Sequence, residues 1–304
     1  MRVVFMGTPE FAVASLRILV ENEVNVVGVI TVPDKRKGRG KQMMGSEVKD
    51  YAASQGLTIL QPTNLKSEDF IEQLRALKAD LQIVVAFRML PVVVWKMPPL
   101  GTFNLHGSLL PQYRGAAPIN WAIINGETET GVTTFFLKHE IDTGNVIFQD
   151  KEEISPEDNV GALYERLMLK GADLVLKTVR AIENKDYSLT EQHSDSELKS
   201  APKIHKETCQ IDWNKSSMEV FNFVRGLNPY PSAWVVINKK KYKIHKVSVD
   251  DSDHATNLIS GQFEVVDKKI IRIRTVDGFV ILDELQPEGK KRMNAEAFLR
   301  GNSL

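Results

Sequence analysis

Asn104 and His106 stand two residues apart in the stretch Phe103–Gly115, where Phe103, Leu105 and Gly107 alternate with Asn104, His106 and Ser108. On an extended strand that spacing puts the three polar side chains on one face. From such a face an amide that donates a hydrogen bond and an imidazole that handles a proton can both reach one substrate atom. A polar face that is merely solvated is the plainer alternative. The strand must end at the Gly-Ser and Leu-Leu-Pro turn, and strand ends are where ligands sit in open α/β sheets. Asp142 lies in His139–Gly144, just past a strand ending near Leu137. A carboxylate beside a glycine is commonly a turn former. Set next to His106, however, it would favour the charged imidazole and fix its orientation. Asn104, His106 and Asp142 together suit acyl transfer, with an amide and an imidazolium for the developing oxyanion and a carboxylate to help move protons.

Three other chemistries fit the sequence less well. Ser108 lacks the glycine-flanked strand-to-helix elbow that presents a nucleophilic serine, which argues against a Ser108–His106–Asp142 triad. No second His or carboxylate stands at ligand spacing near His106, so no metal is expected. The turn Gly7-Thr8-Pro9 has one glycine where a dinucleotide fingerprint needs three, so it reads as a tight strand-to-helix turn.

The elements that must carry these residues follow from the apolar pattern. Val3–Met6 is a short apolar run closed by Gly7, and Phe11, Ala14, Leu16 and Leu19 then mark a helix behind Pro9. Val26–Val32 is the next strand, and this strand–helix–strand opening implies a parallel, doubly wound sheet. Further strands are expected at Thr58–Leu60, Leu81–Ala86, Gly101–His106 and Gly131–Phe136. Helices are expected at Ser46–Gln55, Ser67–Leu77, Ala116–Asn125 and from Asn159 to about Glu183. Between Tyr187 and Thr208 the composition turns polar and reads as a linker. Beyond it an amphipathic segment, Met218–Leu227, precedes short alternating runs at Ala233–Ile237, Tyr242–Val249, Gly261–Val266, Ile270–Thr275 and Gly278–Leu285, which suggest a small β-barrel.

The 304 residues suit roughly two domains by the usual ~100–200 residues each. With 39 basic and 39 acidic residues, the chain has no global attraction to nucleic acid or anionic membrane. From Ala201 onward the balance shifts to 17 basic against 13 acidic residues, a weakly basic C-terminal part. A single cysteine, Cys209, excludes an internal disulfide and a cysteine-cluster metal site. The start, MRVVFMGTPEF, is too short in apolar residues for a signal peptide. With no apolar run of membrane-spanning length, a cytoplasmic chain is expected. Five cations fall between Lys35 and Lys41, just after a sheet strand. They form either a solvated loop or a set of phosphate contacts to nucleic acid. Lys239–Lys243 offers the same pair of readings, a charged hairpin edge or a nucleic-acid surface.

With these residues laid out, the chain resembles the methionyl-tRNA formyltransferases, a family of folate-dependent formyltransferases. The similarity runs through Gly7–Ala12, Pro33-Asp34 with Gly38–Lys41, Asn104–Pro111, Tyr113–Ile119, Glu129–Thr133 and Asp142–Gly144. Past the linker it continues in Ala201–Ile204, Ile211–Trp213 and Asn228–Pro231. It implies a Rossmann-like formyltransferase domain over residues 1–186, a linker over 187–207 and an OB-like tRNA-binding barrel over 208–304. The implied reaction moves the formyl group of 10-formyltetrahydrofolate to the α-amino group of methionyl-initiator tRNA, for translation initiation. Asn104, His106 and Asp142 match the family's catalytic set. The resemblance implies cofactor contacts at Phe87, Arg88 and Leu90 and along Ser108, Leu109, Leu110 and Pro111. It implies tRNA contacts at Lys35, Arg36, Lys37, Arg39 and Lys41, with Arg39 foremost, and at Lys203 and Lys206. The expected protein is a monomer that uses no metal. Two stretches depart from the family pattern. Ala86–Pro91 is one residue shorter and has Arg88 in place of a glycine, and Met43–Glu47 stands where prolines are usual. A formyltransferase for a small amine would share the Asn/His/Asp set without needing the basic loop. A non-enzymatic tRNA-binding protein would need neither the set nor its geometry.

Overall fold

A computed structural model describes residues 1–37, 42–193, 197–250 and 257–302, with the side chains of Lys37 and Gln42 outside the description. By packing, the chain forms two units. The first comprises residues 1–114, 131–152 and 165–199, and the second 115–130, 153–164 and 200–304. Packing therefore groups residues differently from the linear division at 186 and 208, because two inner segments belong with the C-terminal part.

The first unit is built on seven strands: β1 (Val3–Gly7), β2 (Val26–Ile30), β5 (Ile59–Leu60), β6 (Leu81–Val85), β7 (Thr102–His106), β9 (Glu129–Phe136) and β10 (Val146–Glu153). Their order is β10-β9-β7-β6-β1-β2-β5. β1 pairs in parallel with β2 and β6, β2 with β5 and β6 with β7, whereas β9 runs antiparallel to β7. The wholly apolar run of β1 is fully buried inside this sheet, between β6 and β2, as a strand covered on both faces must be. Phe5, Phe103 and Phe135 have no exposed surface, and each such burial is worth about 1.5–3 kcal/mol.

Helices α1 (Glu10–Glu21), α2 (Glu47–Ser54), α3 (Glu68–Ala76), α4 (Val92–Trp95) and α6 (Val160–Asn184) fall within two residues of the positions expected for four of them; α4 was not anticipated. Both faces of the sheet are covered. Phe70, Ile71 and Leu74 of α3 and Val94 of α4 pack with Val4, Met6 and Val84 on one face. On the other, α6 lies so close that a Cβ at Gly171 would come 2.8 Å from Leu105 Cδ2, and Thr134 Oγ1 meets Thr178 Oγ1 at 2.9 Å. Gly7 is needed at the first turn, since a Cβ there would meet Ala12 Cβ at 2.6 Å.

Two features differ from the pattern-based expectation. The ends of the basic loop pair as an antiparallel hairpin, β3 (Lys35–Lys37) with β4 (Gln42–Met44), in the register Lys35↔Met44 and Arg36↔Met43. The edge strand β10 was not expected. Only its first residues are buried, so its outward half is charged and carries no strand-like alternation.

The second unit has α5 (Pro118–Ile124), α7 (Ser217–Leu227) and α8 (Ala295–Leu299), and six antiparallel strands, β12 (Ala233–Ile237), β13 (Lys240–Asp250), β14 (Phe263–Val266), β15 (Ile270–Arg274), β16 (Phe279–Pro287) and β17 (Met293–Asn294). The short strands β8 (Arg114–Gly115) and β11 (Ser200–Ala201) complete the set. The order is β12-β13-β16-β15-β14, with β17 also on β16, so the domain is β-rich and antiparallel as expected. Its core joins Val220, Val224 and Leu227 of α7 to Val235, Ile244, Ile271, Val280 and Leu282 of the strands. Ser216 and Glu219 form a reciprocal cap at the start of α7. Because β12 and β13 pair antiparallel about a turn that holds Lys239, Lys239–Lys243 belongs to a hairpin, and Lys241 lies 3.5 Å from the centre of the Trp234 ring.

Candidate active site

The alternation along β7 puts Asn104 and His106 on the face shared by Val84, because Asn104 stands beside Val84 in the ladder with β6. On the other side His106 pairs with Thr133 of β9. Asn104 is half-buried, and its side-chain amide makes no hydrogen bond among the described residues. His106 is only 6% exposed. Its Nε2 lies 2.8 Å from the carbonyl of Tyr113. A carbonyl only accepts, so Nε2 carries a hydrogen and Nδ1 is the ring nitrogen that the Tyr113 carbonyl leaves uncommitted. Nδ1 faces Asp142 Oδ2 at 3.9 Å, within ion-pair range but longer than a hydrogen bond. The imidazole thus has an acceptor near each ring nitrogen.

Asp142 reaches this place on the loop between β9 and β10. Its backbone is left-handed, with φ 54°, and a Cβ at the neighbouring Gly144 would run into the carbonyl of Phe136. Thr143 Oγ1 donates to Glu140 O at 3.1 Å, closing the turn.

The Ser108–Pro111 segment is held rather than loose. Thr133 Oγ1 donates to Ser108 O at 2.6 Å and accepts from Leu110 N at 3.2 Å. Gln149 Nε2 reaches Leu110 O at 2.8 Å and Thr133 Oγ1 at 3.0 Å. Ser108 is fully buried and its hydroxyl donates to Gln112 O at 2.6 Å, which leaves no proton for a base to take and disposes of the nucleophilic triad. Gln149 escaped the sequence reading, and Thr133 and Tyr113 entered it only within the family-like stretches Glu129–Thr133 and Tyr113–Ile119, because a contact made by a backbone carbonyl leaves no side-chain signal.

In the Ala86–Pro91 stretch, Arg88 turns back onto the Pro62–Thr63 backbone. Its Nη1 donates to Thr63 O at 2.9 Å, its Nη2 to Pro62 O, and the guanidinium sits 5.6 Å over the Phe87 ring. Burial pushes its pKa below the ordinary arginine value. Leu90 is buried and Phe87 half-buried in the core cluster of Val84 and Val94, whereas Leu110 is buried against Phe135 and Val146. Leu109 and Pro111 are half-buried.

Lys35 and Arg36 are exposed on β3. At its base Asp34 accepts from Lys49 Nζ at 2.5 Å and from Gln61 Nε2 at 2.8 Å, and the Lys49 and Gln61 hydrogen bonds hold its carboxyl below the usual value. Arg39 and Lys41 lie outside the described residues, as does the side chain of Lys37. Lys203 and Lys206 are exposed in the second unit. Among the described residues no helix is long and apolar enough to cross a membrane.

Comparison with known proteins adds to this geometry. A family model described as formyl transferase matches residues 1–179, and one described as formyl transferase, C-terminal domain, matches residues 203–303. The methionyl-tRNA formyltransferase of Bacteroides thetaiotaomicron is 54% identical over 310 residues, spanning 100% of this chain and 96% of its own length. That of Flavobacterium johnsoniae is 52% identical, over 99% of this chain and 96% of its own. Among solved structures, a sugar 3N-formyl transferase in the presence of dTDP and 5-N-formyl-THF superposes with a TM-score of 0.67 at 24% identity, covering 96% of this chain and 99% of its own. An N-formyltransferase from Helicobacter canadensis in complex with folinic acid and dTDP-3-aminofucose gives 0.65 at 25% identity, covering 94% and 98%.

Proposed function

The chain belongs to the methionyl-tRNA formyltransferases, and from that premise we propose which of its side chains carry the reaction. The enzyme transfers a formyl group to methionyl-initiator tRNA, and its donor is a folate. We take the donor to be 10-formyltetrahydrofolate, which supplies an electrophilic formyl carbon on a nitrogen leaving group. Its pterin ring is taken to lie along Phe87, Arg88 and Leu90 and the pinned Ser108–Pro111 backbone, as the family resemblance implies.

The observation that carries the assignment is an uncommitted amide two residues from an imidazole held between two acceptors. As the methionyl amine adds to the formyl carbon, negative charge develops on the formyl oxygen. Asn104 donates to that oxygen, which is where a preorganised donor contributes most. His106, fixed through Nε2 by Tyr113, uses Nδ1 to exchange the proton that must leave the amine and reach the departing nitrogen. Asp142 stabilises the imidazolium formed on the way. Lys35, Arg36, Lys37, Arg39 and Lys41 contact the tRNA backbone, aided by Lys203 and Lys206. Residues 1–186 serve as the catalytic domain, 187–207 as linker and 208–304 as the tRNA-binding domain, in a cytoplasmic monomer.

Formylation assays that offer charged initiator tRNA and a nucleotide-linked amino sugar as separate acceptors test this reading. Transfer to tRNA alone, weakening steeply with added salt, is expected. Equal transfer to the sugar amine would overturn the acceptor assignment, and near wild-type rates for Asn104→Ala and His106→Ala would overturn the site.

A further inference from the structure

The segment expected to be a mere linker is tied to both members of the His106–Asp142 pair. Thr190 forms a two-bond bridge with Val146 at the start of β10, with N–O distances of 2.8 and 3.0 Å. Two residues on, the Gln192 amide nitrogen donates to Asp142 O at 2.9 Å and to Gly144 O at 2.7 Å. Its amide oxygen accepts from Arg114 Nε at 3.1 Å and Nη2 at 2.7 Å. Further along, the carbonyl of Lys199 accepts from Tyr113 N at 2.7 Å, and Gln112 exchanges side-chain bonds with Glu197 O at 3.1 Å and Lys199 N at 2.9 Å. Tyr113 is the residue whose carbonyl fixes His106 Nε2.

Both ends of the Gln192 side chain are therefore committed. Its two N–H donors span the left-handed turn that carries the Asp142 carboxylate, and a charged fork locks its oxygen. Glutamate has the same length but cannot donate to two carbonyls. Methionine has the same reach with neither donor nor strong acceptor.

We propose that Gln192 is a positioning residue for formyl transfer, holding the Asp142–Gly144 turn so that the carboxylate stays in range of His106 Nδ1. The inference rests on the reading of Asn104, His106 and Asp142 as the catalytic set. Gln192 touches no reacting atom and acts through Asp142.

The test uses the full-length enzyme with charged initiator tRNA and the folate donor. In Gln192→Met and Gln192→Glu, kcat falls about 10–100-fold, the scale expected when a reacting group is misplaced by about an ångström. KM for both substrates stays within about threefold, and Glu191→Gln, an exposed neighbour, keeps wild-type kcat. The decisive readout is coupling. Adding Gln192→Met to Asp142→Asn costs no further rate if the amide works through the carboxylate. A purely structural role would instead lower the melting temperature and multiply the two losses. Wild-type kcat in both Gln192 variants while Asp142→Asn is crippled overturns the inference and leaves the site reading intact. An active Asp142→Asn overturns the site reading and removes what Gln192 was proposed to position.

Discussion

Two histidines, one in each unit, are almost equally buried and face opposite surroundings. His106 is 6% exposed and lies between the Tyr113 carbonyl and the Asp142 carboxylate. His245 is 7% exposed, pairs at Nε2 with Gln286 Oε1 at 3.3 Å, and its buried Nδ1 has no hydrogen-bond partner among the described residues. It is buried because the ladder between β13 and β16 slips there, so that Ile244 and His245 both turn inward. Burial first, and the cations Arg292 and Lys243 after it, hold the His245 pKa below the ordinary value, against the pull of Gln286 and Glu284. Burial alone does not make a histidine chemical. One imidazole has an acceptor near each ring nitrogen, and the other sits where burial and neighbouring cations disfavour a proton.

The largest test of that contrast removes the groups themselves. Asn104→Ala is expected to lower kcat by about 10²–10³-fold, the usual cost of one oxyanion donor, and His106→Ala by about 10²–10⁴-fold, the usual contribution of a positioned acid–base group, whereas His245→Gln leaves kcat within about threefold. Steady-state formylation of purified variants reads both. Asp142→Asn should cost about 10²-fold in kcat with a normal melting temperature, since it removes the charge and keeps the shape. A loss confined to KM would show that the carboxylate binds substrate instead of stabilising His106.

Removing two exposed cations, Lys35→Ala with Arg36→Ala, sharpens the contrast from outside the pocket. KM for tRNA should rise about tenfold with kcat unchanged, and the slope of log binding against log salt should flatten by about two. An unchanged slope would take β3 off the tRNA path.

The smallest effect concerns His245 and acid. A lowered native pKa means that the unfolded chain binds this proton first as the medium is acidified. The stability that neutral His245 gives is therefore complete above the unfolded value of about 6.5 and is lost as pH falls below it towards the native value. Urea unfolding at pH 8 and pH 5.5 should show the loss, no steeper than about 1.4 kcal/mol per pH unit for one proton, and His245→Gln should reduce it. If acid weakens the variant as much as the native chain, other groups are responsible.

Most of the architecture was legible because apolar period and turn chemistry agree. β12 is found at the expected residues, and α2, α3 and α6 end within two residues of their expected bounds. Asn104 and His106 announced themselves by an alternation of unusual groups, and Asp142 by its place after a strand. What stayed hidden was held by atoms that every residue has. Tyr113 acts through its carbonyl, and Gln192 sits in a polar stretch whose composition is that of a linker. The hairpin β3–β4 was read as a loop because a run of cations carries no alternation of apolar and polar residues. The grouping of α5 with the C-terminal part is likewise a property of packing that no local pattern encodes.

That last grouping sets an order of events during synthesis. Asn120 Nδ2 donates to Gly226 O at 2.8 Å, and Gly226 has no room for a Cβ because Ile124 Cγ1 would lie 2.6 Å from it. The partners of Asn120 and Ile124 are thus encoded about a hundred codons downstream. A ribosome that has released only the first two hundred residues presents α5 without the helix it docks on. The β-rich unit cannot close until its last strands emerge, and a nascent chain stalled before α7 should be cut by protease within residues 115–130.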